Sequence, residues 1–247
     1  MFIGVEAVLF DLGGTLVEYA VPSWPAVLGQ CVDAVYGFLI RPEEERFPPA
    51  ASVPPPDEAH ARRGPARPDT PLPHRITMAL RRMVRGASGR TLPAIAEACA
   101  RPLMATGRIC EDTLPALEAI RARGYRLGLI SNTPWGTPDY LWEKQIEKFG
   151  LTPFLDVRLF SSGVGFRKPD PRIFREALGQ LGVAAGRAVF VGDSPRDDIA
   201  GAHGAGLRTV LIARRPCFPD AVDPPPDVSI QTLADLPALL PSGIQNC

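Results

Sequence analysis

Lysine is scarce in this 247-residue chain: only Lys144, Lys148 and Lys168 occur, and every other basic residue is arginine. Chemistry that needs a lysine amine before residue 144 is therefore disfavoured. Net charge is absent too. Lys plus Arg and Asp plus Glu both number 27, so no strong field draws in nucleic acid or an anionic membrane. Long apolar runs are missing; none approaches the roughly eighteen residues of a membrane span. The five cysteines (Cys31, Cys99, Cys110, Cys217, Cys247) are widely spaced, with no C-x-x-C pair. That argues against a disulfide framework or zinc site and fits a reducing cytoplasm. His60, His74 and His203 have no metal-ligand spacing. Met1–Phe10 carries no basic segment or cleavage-like site, and reads as a strand rather than a signal peptide.

Hydrophobic residues make up 45% of the chain, enough for one core or a core plus a smaller domain. Short apolar runs are predicted as strands at Val5–Phe10, Arg126–Ile130, Val157–Phe160, Ala188–Val191 and Thr209–Ile212. Helical patterns lie between them at Thr113–Arg123, Pro138–Phe149, Pro171–Leu181 and Arg196–Ala205. The alternation predicts a doubly wound, Rossmann-like α/β sheet with a ligand site at the carboxyl ends of its strands. Residues 18–110 break the alternation. They show helical patterns at Pro25–Ile40, His74–Arg85 and Thr91–Cys110, with a proline-dense connection at about 47–73. The expected organisation is a core of residues 1–17 and 111–247 with a helical cap at 18–110.

Four strand ends deliver reactive groups. Asp11 and Thr15 follow the first strand and Ser131 the second; Lys168 lies in R-K-P-D-P, and Asp193 and Asp198 in G-D-S-P-R-D-D-I-A-G-A. A carboxylate nucleophile, hydroxyl donors, one cation and an acidic cradle are the parts that phosphoryl transfer requires. An aspartate can attack phosphorus. The two anions repel, and magnesium, which prefers oxygen ligands, suits Asp11 with Asp193.

D-L-G-G-T-L, S-N-T, R-K-P-D-P-x-I-F and V-G-D-S-x-x-x-D-I-x-G-A, in that order, resemble the motifs of the haloacid dehalogenase superfamily over residues 5–17 and 111–240. The resemblance implies a magnesium-dependent phosphatase of a small phosphorylated metabolite, monomeric or homodimeric, with Asp11 as nucleophile. It implies that the Gly13 carbonyl, Asp193 and Asp198 join Asp11 around Mg2+. Thr15 matches the hydroxyl that orients the nucleophile loop. Ser131 and the Asn132 backbone match the phosphate donors, and Lys168 the charge-neutralising cation. Asp197 is an adjacent alternative to Asp198.

One position departs from the pattern. Phosphatases of this family usually carry a second Asp two residues after the nucleophile, where this chain has Gly13. That Asp is a proton donor and acceptor, a role that contributes roughly 10²–10⁴-fold. Three readings follow. Another acid could substitute, with Glu18 nearest and Asp33 or Glu43–Glu45 farther. The reaction could need no such acid, as in carbon–halogen or phosphonate hydrolysis. The retained Asp193 and Asp198 speak against the first of these and the missing early lysine against the second. Or the protein is a slow phosphatase, a phosphotransferase or a non-catalytic binder of phosphorylated ligands. Gly13 and Gly14 are expected to permit an unusual backbone turn. Arg81, Arg82 and Arg85 read as a solvated face before a substrate clamp. Trp24, Trp135 and Trp142 read as packing residues, with Trp135 a candidate at the site entrance.

Overall fold

The computed structural model describes residues 2–20, 23–39, 91–214 and 223–241. The proline-dense segment, the His74–Arg85 helix, the arginines at 81, 82 and 85, Glu43–Glu45, His60, Cys217 and Cys247 lie outside them.

Strand β1 (Ala7–Phe10) is buried at every position. Val8 and Phe10 enter one apolar cluster, whereas Ala7 and Leu9 enter another. The period of two thus feeds a core on each face, the mark of a strand covered on both sides. It lies between β4 (Arg126–Ser131) and β6 (Ala188–Gly192), parallel to both. With β5 (Val157–Phe160), β7 (Arg208–Ile212) and β8 (Val228–Ile230) these form a six-stranded parallel sheet of order β5-β4-β1-β6-β7-β8.

Helices cover both faces. Leu117 and Ile120 of α3 (Thr113–Arg121) and Trp142 and Ile146 of α4 (Asp139–Lys148) join the Val8 side. A short α5 (Ser161–Val164) follows β5. Ile173, Phe174, Ala177, Leu178 and Leu181 of α6 (Pro171–Leu181) fill the Leu9 side at helical spacing. Asp170 starts α6 by accepting a hydrogen bond from the Arg172 N–H, with Pro171 at the first helical position. Helix α7 (Gly201–Gly204) and α8 (Leu236–Leu239) complete the layers. The result is the doubly wound α/β architecture read from the sequence.

The cap helices α1 (Trp24–Leu39) and α2 (Thr91–Ala105) pack on each other. Val27, Cys31 and Val35 form an i, i+4, i+8 stripe on one, and Ile95, Cys99 and Leu103 the same stripe on the other. The chain leaves the sheet layer through β2 (Val17–Tyr19) and returns through β3 (Gly107–Ile109), an antiparallel pair with Val17 opposite Ile109 and Tyr19 opposite Gly107.

Several elements differ from the sequence reading, among them the β2–β3 pair, which was not expected. The helix predicted to run to Cys110 stops at Ala105, because the backbone at Gly107–Ile109 pairs with β2. The helix predicted from Arg196 opens as a π-helical turn, Pro195–Ala200. Strand β8 was not expected from its three residues; it is placed by parallel pairing to β7. Among the described residues, no helix is long and apolar enough to cross a membrane.

Candidate active site

A cleft of about 780 Å³ opens at the carboxyl ends of β1, β4 and β6. Asp11, Gly13, Tyr19, Ser131, Asn132, Lys168, Asp193 and Asp198 all line it. Residues scattered from 11 to 198 meet there because parallel strands end on one edge.

Lys168 is its electrostatic centre. The ammonium is 2% exposed and lies 2.5 Å from Asp11 Oδ1 and 2.7 Å from Asp198 Oδ1. Only the Asp11 contact has hydrogen-bond alignment. Burial works against the Lys168 charge, but the two carboxylates outweigh it and raise its pKa above the usual value. Burial likewise pushes the Asp11 carboxyl up, to about 8; Lys168 pulls it down, while Asp198 and Asp193 add to the rise.

Asp11, Asp193 and Asp198 each bring a carboxylate oxygen within 4.8 Å of the others. Ionising all three carboxylates against one ammonium would leave two surplus negative charges in a largely buried place, the repulsion that helps hold the Asp11 pKa high and that a divalent cation would offset. The donors are all oxygen, fitting a hard cation. Asp198 is held from behind, its Oδ2 accepting from the Ser194 N–H at 2.9 Å. Asp197 also lines the cleft but stands outside this group: it accepts a hydrogen bond from Asn132 at 3.2 Å, and burial raises its pKa. The structure thus separates the adjacent aspartates, with Asp198 in the acidic group and Asp197 outside it.

The loop after Asp11 is tied through its backbone. The Leu16 and Val17 N–H groups donate to the Leu12 carbonyl, and Gly14 N–H to the Val17 carbonyl. Thr15 is fully buried, yet its hydroxyl, the group expected to orient this loop, makes no hydrogen bond among the described residues. Its carbonyl accepts from Arg214 at 2.9 Å.

The two glycines differ. Gly14 has φ +86° and faces the Asp193 carboxylate so closely that a Cβ would overlap it. Glycine is required there. Gly13 has no positive φ, and a Cβ would meet only the Tyr19 ring at an ordinary 3.6 Å. The expectation that both glycines serve the backbone turn holds for Gly14 and fails for Gly13.

Ser131 is buried at the end of β4, beside the cleft. The Asn132 side chain braces Lys168: Oδ1 accepts from the Lys168 N–H at 2.9 Å and Nδ2 donates to the Lys168 carbonyl at 3.0 Å. Glu18 is exposed at the cleft wall. Trp142 lines the cleft; its N–H donates to Thr137. Trp135 has φ 54°, unusual for a bulky residue, and packs against the core.

Sequence reasoning missed three residues. Tyr19 lines the cleft, edge-on to Trp142 with centroids 6.0 Å apart; burial, with a further push from Asp11, moves its hydroxyl well above the usual pKa. Arg214 and Asp112 pair at 2.8–2.9 Å beside the loop after Asp11. The V-E-Y alternation hinted at Tyr19; nothing in the local sequence marks the other two.

A family model described as haloacid dehalogenase-like hydrolase matches residues 5–206. The chain is 42% identical over 101 residues to a glyceraldehyde 3-phosphate phosphatase of Methanothermobacter thermautotrophicus, covering 41% of this chain and 43% of that one. It is 41% identical over 122 residues to a phosphoserine phosphatase of Thermus thermophilus, covering 49% and 46%. The chain spans about half the length of the curated relatives it matches. The structure of a 2-haloacid dehalogenase from Pseudomonas syringae pv. Tomato DC3000 superposes over 95% of this chain and 97% of that one, with a TM-score of 0.62 and 28% identity.

Proposed function

The chain belongs to the haloacid dehalogenase-like hydrolases, and we propose that within them it is a magnesium-dependent phosphatase of a small phosphorylated metabolite. The observation that carries this reading is the Asp11–Lys168–Asp198 contact set beside Asp193. A carboxylate at a strand end, one buried ammonium and two further carboxylates are the parts needed to attack a phosphoryl group and offset its charge. The phosphatase names of the relatives support the substrate class.

In this reading Asp11 attacks phosphorus and carries the phosphoryl group as an aspartyl-phosphate. Ser131 and the Asn132 backbone donate to phosphoryl oxygens, and Lys168 offsets their charge. Thr15 belongs to the loop that positions Asp11. Asp11, the Gly13 carbonyl, Asp193 and Asp198 would hold magnesium, which when bound supplies charge neutralisation between nucleophile and phosphate. The retained acidic group speaks against metal-free carbon–halogen hydrolysis.

The test is a screen of phosphorylated metabolites with and without magnesium, comparing wild type with Asp11→Asn. Magnesium-dependent phosphate release that the substitution abolishes supports the enzyme. Gly13 favours one second reading, a weak or inactive binder of phosphorylated ligands. Tight binding of phosphate mimics with no turnover of any ester would select it.

A further inference from the structure

We infer that this site is built for phosphates whose leaving group departs without a proton: acyl phosphates first, aryl phosphates next, and simple alkyl phosphates last. The inference rests on the phosphatase reading and adds the chemistry of the bond that is cleaved.

In an in-line displacement the leaving oxygen stands opposite Asp11 across phosphorus. Tyr19, Trp142 and Leu103 line the cleft, with Tyr19 beside Gly13. Gly13 presents no side chain, and what faces its α-carbon is the carbon edge of the Tyr19 ring. The Tyr19 hydroxyl is buried and makes no hydrogen bond among the described residues. Lys168 is held between Asp11 and Asp198. Asp193 and Asp198 belong to the acidic group, and Asp197 is bonded to Asn132. Glu18 lies at the exposed cleft wall, but its place on β2 between Val17 and Tyr19 puts it on the opposite strand face from Tyr19, which is the residue that meets Gly13. The Glu18 charge acts on Arg214 and Cys110 instead. Among the described residues, only the Tyr19 ring comes within 4 Å of where a Cβ on residue 13 would stand, so no acid occupies that place.

The consequence depends on what leaves. In the first step an Asp11 oxygen bonds to phosphorus and the bond from phosphorus to the leaving oxygen breaks, its electron pair staying on that oxygen. An acyl phosphate expels a carboxylate, stable at neutral pH because its acid has a pKa of about 4. A phenol, at about 10, is an intermediate case. An alkoxide is about as basic as hydroxide, whose parent water has a pKa of about 15.7, and leaves slowly unless protonated. The second step is free of this problem. The aspartyl-phosphate is itself an acyl phosphate: water adds to phosphorus, the Asp11 carboxylate leaves as an anion, and both water protons go with the dihydrogen phosphate. The missing donor therefore penalises the first step and only for basic leaving groups, whereas the missing acceptor slows water attack equally for every substrate.

The test is kcat/KM for acetyl phosphate, a series of ring-substituted phenyl phosphates, and glycerol phosphate and O-phosphoserine as alkyl esters. Wild type should fall steeply with leaving-group pKa, with the alkyl esters at least 10²-fold below acetyl phosphate. Gly13→Asp, whose Cβ has room beside Tyr19, should raise the alkyl-to-acyl ratio by about 10²–10⁴-fold. A flat dependence in wild type, or alkyl esters turned over as fast as acetyl phosphate, would overturn the inference, whichever residue then supplies the proton. The wild-type slope decides even if Gly13→Asp does not fold. Asp11→Asn keeps the two claims apart. If it abolishes acetyl phosphate hydrolysis while the slope is flat, the leaving-group inference alone fails. If it leaves that hydrolysis intact, the Asp11 reading fails.

Discussion

Gly14 and Asp193 share a space that holds only one side chain: the Asp193 carboxylate occupies the position where a Cβ on residue 14 would stand. Gly14 thus lets the acidic group close up against the loop after Asp11. Gly14→Ala should disturb Asp193 and strain the backbone at φ +86°. The expected result is a loss of about 1–3 kcal/mol in denaturant unfolding and weaker magnesium binding by calorimetry. Gly13→Ala, with room beside Tyr19, should change stability by less than about 1 kcal/mol. Equal effects at the two positions would refute the distinction.

Asn132 should matter through its side chain. Its amide satisfies both the N–H and the carbonyl of Lys168. Removing it leaves buried backbone groups unpaired, at about 1–3 kcal/mol, and loosens the residue that carries the cation. Asn132→Ala should lower kcat/KM by roughly 10²-fold, the scale of a small misplacement at a reacting centre. Asn132→Asp should be worse. It cannot donate to the Lys168 carbonyl, and it sets a second carboxylate beside Asp197. Steady-state kinetics with unfolding curves would check both.

Asp112 sets an acid limit on stability. Its carboxylate accepts from two Arg214 N–H groups, from the Thr232 hydroxyl at 2.6 Å and from the Leu233 N–H at 2.7 Å. Burial opposes the charge, but these bonds win and hold the carboxyl below its ordinary value. A folded pKa below the unfolded one gives stability that is present above the unfolded value, about 3.9, and lost as pH falls through the folded one. Wild type should exceed Asp112→Asn by about 1–3 kcal/mol at pH 7, with the gap closing below about pH 4. A gap that is constant with pH would contradict this account.

The sheet was legible because its strands are apolar runs ending in polar turns, and β1 is buried on both faces. The ends of α2 and the existence of β8 were not. Each is decided by pairing to a strand distant in sequence, β2 in one case and β7 in the other. The predicted residues that meet at the cleft could be named because each sits in a short local pattern. The pair Asp112 and Arg214 could not, since 102 positions separate them and neither has a local signature. Gly13 shows the same limit. A glycine beside a second glycine reads as backbone freedom, and only the surroundings show that one of the two is conformationally ordinary.

Asp11 as a covalent nucleophile is the central claim, and chemical trapping tests it most directly. Wild type would be mixed with radiolabelled acetyl phosphate and magnesium, quenched in acid within milliseconds, and digested for peptide mapping. The expected result is a label on Asp11, released by hydroxylamine as an acyl phosphate must be, and absent from Asp11→Asn. Turnover with no trapped label, a label on another residue, or undiminished turnover by Asp11→Asn would contradict it.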